Sequence, residues 1–296
     1  MEDMLDYATG GSGGPIAQCG PLNTVCEEAQ MYQLWTKEYV QYLGDYLLDR
    51  ARDYHQTTPS NVTGFPPQTT ILDIGAGDGL LLQFLKDYYH YQQQQQHQQQ
   101  QVSHRDRRRR GPGSDSLFPT MEWIATDNGS WRIFPKARVE RLEVQDALNK
   151  YVVGKGVVVA AAEAAATNNN PNTNVDNDDD DDDDRRSRQQ VIVLCSWMPM
   201  GQDWTQLFRD AQVDEYILMG EADDGSCGHN WKTWGNLAEY WGDDPKPLPP
   251  FQRDGYQRWD MDEVLAPHQF SRFDSALSKS GKTVSFRRRR RRRQDR

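Results

Sequence analysis

No apolar run in the chain approaches the roughly 18 residues that a membrane-crossing helix needs. Cysteine is scarce. Cys19, Cys26, Cys195 and Cys227 show neither C-x-x-C spacing nor the density of a disulfide-stapled scaffold. The opening Met1-Glu2-Asp3-Met4-Leu5-Asp6 is acidic and has no apolar stretch of the kind found in a secretory signal. Hydrophobic residues make up 36% of the 296, and mean hydropathy is −0.90. These shortages imply a soluble, intracellular chain, cytoplasmic or nuclear, that carries polar inserts.

Charge is plentiful and unevenly placed. The chain holds 44 acidic and 34 basic residues, a net −10. Arg107–Arg110, Asp178–Asp184 and Arg287–Arg293 are unbroken like-charge runs. Such blocks repel and stay solvated. A Gln/His tract leads into the first, and an Ala/Asn tract into the second. Residues 92–113 and 160–190 therefore read as disordered low-complexity inserts on surface loops, where extra length costs little closure entropy. Residues 1–26, with Gly10-Gly11-Ser12-Gly13-Gly14-Pro15, read as a flexible N-terminus. Residues 27–286 read as one domain and 287–296 as a basic tail. Without the three runs, the body carries 23 basic and 37 acidic residues, or −14. That balance argues against nucleic-acid binding by the folded domain and leaves any such contact to Arg287–Arg293. A monomer with no membrane partner is the expectation.

Between the inserts, strand-like and helix-like runs alternate. Tyr32, Leu34, Trp35, Tyr39, Val40, Leu43, Tyr46 and Leu47 recur at three and four, which predicts N-terminal helices from Glu27 to about Tyr54. Thr69–Ile74, Met121–Asp127, Val139–Val144, Val191–Cys195 and Glu215–Met219 read as strands. Leu80–Tyr89 and Trp204–Ala211 read as helices. Phe270–Leu277 and Lys282–Phe286 read as a closing hairpin. The alternation predicts an α/β fold with a mostly parallel sheet and helices on both faces.

Asp73-Ile74-Gly75-Ala76-Gly77-Asp78-Gly79 leaves a strand and opens a helix. Glycines there let a ligand approach the backbone, and the helix start offers free N–H groups. The third glycine of a dinucleotide fingerprint is replaced by Leu80. An acid, Asp73, precedes the first glycine by two residues and suits a cationic or hydroxyl-bearing ligand. In this D-x-G-x-G-x-G loop the chain resembles the class I, Rossmann-like S-adenosylmethionine-dependent methyltransferases. The resemblance spans residues 69–150 and 190–286 without the inserts. It implies a seven-stranded sheet closed by a reversed last strand, with S-adenosyl-L-methionine as cofactor. Asp73, Gly75, Ala76, Gly77 and Gly79 would then hold the methionine end. Asp127, with Asn128, matches the acid that binds the ribose hydroxyls, and Asp146-Ala147 matches the position near the adenine.

The resemblance puts Cys195 against the cofactor and Ser196-Trp197-Met198 towards the methyl acceptor. The Asn/Asp-Pro-Pro-aromatic box of amino-methylating members is absent here. Trp197 reads as an acceptor-holding ring or as a hydrophobic lid. Glu221 and His229 are candidates for a general base, or plain hydrogen-bonding loop residues. With these segments the chain resembles a methyltransferase-like family of lower eukaryotes with no assigned acceptor. Cys227-Gly228-His229 lacks a second ligand pair, so no metal is expected. Ala276–Thr283 fits a loose phosphate-loop pattern but lacks the helix such a loop needs. A methyltransferase is the leading expectation. A non-catalytic scaffold binding RNA or protein through charged tails, and a nicotinamide oxidoreductase, are the alternatives.

Overall fold

Three central runs of the chain carry apolar segments, Ile71-Leu72, Val191–Cys195 and Tyr216–Met219, that need cover on both faces. The computed structural model describes residues 26, 28, 31, 33–58, 67–106, 118–131, 133–153, 189–222, 227–236, 247–271 and 281–289. Strands β2 (Gln68–Ile74), β5 (Gln190–Ser196) and β6 (Glu215–Glu221) are buried along almost their whole length. Successive side chains alternate between faces. Ile71, Ile192, Leu194, Ile217 and Met219 join one core cluster. Leu72, Ile74, Val193, Tyr216 and Leu218 join the other.

Strands β3 (Thr120–Asp127), β4 (Glu140–Arg141), β7 (Tyr256–Asp260) and β9 (Gly281–Arg288) complete a seven-stranded sheet of order β4-β3-β2-β5-β6-β9-β7. β4 to β6 run parallel, and β9 runs antiparallel to both β6 and β7. The chain is thus α/β with a mostly parallel sheet and a reversed last strand. From β2 the chain order steps outward in both directions, which opens a switch-point crevice at the carboxyl ends of β2 and β5.

Helices α1 (Lys37–Thr57) and α2 (Leu80–Asp106) cover one face. Leu43, Leu47, Leu81 and Leu85 lie in that interface, each worth about 1.5–3 kcal/mol of burial. Gly44 weakens α1 by propensity, but a Cβ there would lie 2.4 Å from the Tyr88 ring. The glycine lets the two helices close on each other. Helices α3 (Val144–Leu148), α4 (Thr205–Asp210) and α5 (Pro250–Arg253) cover the other face with Leu148, Phe208 and Phe251. Helix α6 (Asp262–Leu265) returns to the first face through Leu265.

Several expectations are corrected. Gln33–Trp35 is strand β1, paired antiparallel with β8 (Gln269–Ser271). Only a partner over 230 residues away makes it a strand, so local periodicity misreads it as helix. Helix α1 starts after Thr36, whose hydroxyl accepts the Tyr39 N–H. β4 spans two residues, and Val144 opens a helix. Of the expected closing hairpin, residues 272–280 lie outside the described residues. β9 pairs with β7, while Phe270 pairs with Leu34. Helix α2 continues through Gln92–Asp106, within the expected disordered insert. Glutamine propagates a helix that the preceding leucines have nucleated. Gln190 opens β5, and Arg287 and Arg288 end β9 instead of starting a tail. Residues 1–25, 107–117, 154–188 and 290–296 lie outside the described residues and hold most of the expected N-terminus, inserts and tail. Among the described residues, no helix is long and apolar enough to cross a membrane.

Candidate functional site

The turn between β2 and α2 is built from three left-handed glycines. Gly75, Gly77 and Gly79 have φ of 71°, 57° and 75°, a region costing other residues about 1–2 kcal/mol. The turn is tied to the end of β3. Gly75 N and Ala76 N donate to Thr126 O at 2.9 and 3.0 Å. Gly77 N donates to Asp127 Oδ2 at 3.1 Å, and Gly129 N to Asp127 Oδ1 at 2.6 Å. Asp78 Oδ1 accepts the Leu80 N–H at 3.0 Å, satisfying one of the free donors at the start of α2.

These elements border a cavity of about 160 Å³ at the carboxyl ends of β2, β3 and β5. Its charged lining residues, among those described, are Asp73, Asp78 and Asp127, and no Lys, Arg or His lines it. Asp73 is 1% exposed, and its Oδ1 has no hydrogen-bond partner among the described residues. Burial pushes its carboxyl up to about 8, helped by the nearby Asp127 and Asp78 carboxylates. A buried acceptor without a donor is costly unless a ligand supplies one.

The lining is also aromatic. Trp35, Trp131, Trp197 and Trp204 all line the cavity. Trp197 holds φ of 57°, rare for a bulky residue. Its main-chain N donates to Met219 O at 2.8 Å, and its Nε1 donates to Gln33 Oε1 at 3.2 Å. Since indole can only donate, the Gln33 oxygen must face it. Gln33 Nε2 is left buried and without a partner among the described residues. Backbone strain of this kind persists where its surroundings enforce it, and it clusters at ligand clamps.

Of the residues singled out from sequence, Asp73, Gly75, Ala76, Gly77, Asp127, Asn128, Ser196 and Trp197 line this cavity. The others lie elsewhere. Gly79 starts α2, where a Cβ would lie 2.6 Å from Val139. Asp146 is exposed on α3, and Ala147 is buried beneath it. Cys195 is 1% exposed, in the core cluster with Leu72 and Met198. Met198 Sδ accepts the Trp204 N–H. Glu221 is buried at the end of β6. His229 Nδ1 accepts the Trp231 and Lys232 N–H groups, capping the turn Asn230–Trp234. Neither general-base candidate reaches the cleft. Among the described residues, no group of three or more His, Cys, Asp or Glu gathers as a metal site.

Gln33, Trp35 and Trp131 were missed from sequence. Trp131, four residues past Asp127, was the one with a local signal. No family model matches the chain, and no curated protein does either.

Proposed function

We propose that the chain is an S-adenosylmethionine-dependent methyltransferase with a class I-like fold, acting on an acceptor bound beside Trp197 and Gln33. The observation that carries this reading is the charge of the cleft. Among the described residues three acidic side chains line it and no cationic one does, with Asp78 paired to Lys136 at 3.4 Å outside the lining. That suits a ligand bearing positive charge and disfavours a dinucleotide pyrophosphate. The strand order and the reversed β9 are in keeping with the resemblance.

The residues present fit the cofactor in two of three places. Asp73 Oδ1 would take the ammonium of the methionine end, beside the close-approach backbone of Gly75–Gly79. Each Asp127 oxygen accepts one backbone N–H, which leaves a further acceptor site on each for ribose hydroxyls. Asp146 is not at the cleft. Leu142 and Val144 line the cavity and would offer apolar walls for an adenine. When bound, the cofactor supplies a methyl group on a positively charged sulfur, open to direct displacement.

The chain's own contribution is then positioning and dryness. Trp35, Trp131, Trp197 and Trp204 exclude water, and Gln33 Nε2 donates a hydrogen bond that orients the acceptor. Alignment alone is worth up to several kcal/mol in such a reaction. Among the described residues the lining holds no histidine or lysine, and direct displacement proceeds without a general base. The test is incubation of cofactor labelled in its methyl group with size-fractionated cell extract. The expected result is label in one acceptor fraction, lost with Gly77→Arg. No labelled fraction, or labelling unaffected by Gly77→Arg, would overturn the enzyme reading.

A further inference from the structure

The cofactor cleft is acidic, yet the opposite end of the sheet gathers arginines. A cavity of about 440 Å³ is lined there by Arg50, Asp53, Trp259, Arg287, Arg288 and Arg289, among others. Its level on the sheet is set by the register Glu215↔Arg287, whereas the cleft lies at Met219↔Ser196. Four residue steps along β6 separate the two levels, about 13 Å. The cavity is therefore a separate site.

Its parts divide into a foundation and a display. Glu215 is fully buried and accepts from Arg50 Nε at 2.6 Å, from Ser285 Oγ at 2.6 Å and from the Tyr46 hydroxyl. Arg50 is thus committed to the fold. Arg287 Nε donates to Tyr46 Oη at 3.0 Å and lies 3.8 Å from Glu215 Oε1. Its guanidinium lies over the Tyr46 ring at 5.2 Å and the Trp259 ring at 4.7 Å. Two aromatic rings hold it in place, and its terminal nitrogens have no partner among the described residues. Arg288 Nη1 reaches Gln212 O at 3.3 Å. The Arg289 main-chain N is pinned to Gly255 O at 2.8 Å, while its side chain has no partner among the described residues. Trp259 remains 52% exposed despite its arginine neighbour.

We propose that this cavity docks single-stranded nucleic acid, with Arg287, Arg288 and Arg289 on phosphates and a base stacked on Trp259. Guanidinium donors beside an open aromatic face are what an unstacked base and its phosphate require. An acidic peptide would use the charges and leave the ring idle. The site belongs to the folded domain, which the acidic body charge alone argued against. It does not depend on the methyltransferase reading, since it lies away from the cleft.

The test uses the full-length chain and fluorescent 12-residue oligouridylate and oligodeoxythymidylate, read by anisotropy in 50–200 mM KCl. Arg290–Arg293 are changed to Ser in a second full-length chain, so that the adjoining arginine run does not supply the binding. In that chain, three phosphate contacts predict a slope of log K against log salt of about −2, or roughly a 15-fold loss across the range. Arg289→Ala should flatten the slope by about 0.7. Trp259→Ala should weaken binding about tenfold at an unchanged slope, and Trp259→Phe should recover most of it. Binding by either oligonucleotide with this Trp259 dependence supports the site, and the stronger probe tells RNA from DNA. Three results would overturn it: unchanged affinity in Trp259→Ala, binding abolished by the Arg290–Arg293 changes, or poly-aspartate binding as tightly as the oligonucleotides.

Discussion

If Asp73 receives the cofactor's ammonium, binding must be tied to its proton. The free carboxyl is pushed up to about 8 by burial and by Asp127 and Asp78. At pH 7 about one molecule in ten then has Asp73 ionised, and at pH 5.5 about one in three hundred. A cationic ligand selects that ionised fraction. The affinity for S-adenosylhomocysteine should therefore rise about 30-fold between pH 5.5 and 7, or about 2 kcal/mol. The ligand's own amino group, with an ordinary value near 8, stays charged throughout this window. Calorimetric titration at four pH values reads the slope. Titration in buffers of different ionisation heat at pH 7 should show release of nearly one proton. Asp73→Asn should abolish both the slope and the proton release. Stability supplies an independent check. A carboxyl raised on folding binds a proton in the native state that the unfolded chain has already lost. Its contribution therefore falls between about pH 4 and 8, by up to roughly 1.4 kcal/mol per unit. The unliganded Asp73→Asn variant should gain stability over the native chain across that window, read from urea midpoints at pH 5 and 7.5. A flat binding profile for the native chain, or the same slope in Asp73→Asn, would show that Asp73 does not take the ligand's ammonium.

Gly79→Ala forces a side chain into φ of 75° and against Val139 at 2.6 Å. Conformational cost and overpacking together should lower stability by about 2–4 kcal/mol, read from urea midpoints. Gly44→Ala should destabilise by about 1 kcal/mol in thermal melts, because the Tyr88 clash at 2.4 Å outweighs the helix preference for alanine. Stabilisation by this change would contradict the packing of α1 on α2. Arg50→Ala removes the 2.6 Å partner of fully buried Glu215. The loss should be about 3 kcal/mol, the low end for a broken buried pair, because Tyr46, Ser285 and Arg287 remain. A change under about 1 kcal/mol would show that those partners suffice without Arg50.

The parts of the molecule legible in sequence are those whose environment is written in neighbouring residues. Val191–Cys195 and Glu215–Met219 read as buried strands because continuous β-branched and large apolar residues suit a sheet covered on both faces. The Asp73–Gly79 turn was legible because its glycines sit between an apolar strand and an apolar helix. Gln33–Trp35 was not, because Leu34 and Trp35 fall on the helical spacing of the segment that follows, and only pairing with Gln269–Ser271 makes them a strand. That misreading hid Gln33 and Trp35 from the cleft. Asp146 was placed by counting past a strand expected to run to Val144. The strand stops at Arg141, and the chain turns into α3 with Asp146 outward. Arg287 illustrates a further limit. Within an unbroken charge run it reads as solvated tail, but two aromatic rings distant in sequence hold it in the sheet.

The most direct test of the central claim is calorimetric titration of the purified full-length chain with S-adenosylhomocysteine and, separately, with NADH. One-to-one binding of S-adenosylhomocysteine, lost in Gly77→Arg, and no binding of NADH are expected. Selective binding of NADH, or no binding of S-adenosylhomocysteine by the folded protein, would contradict the claim.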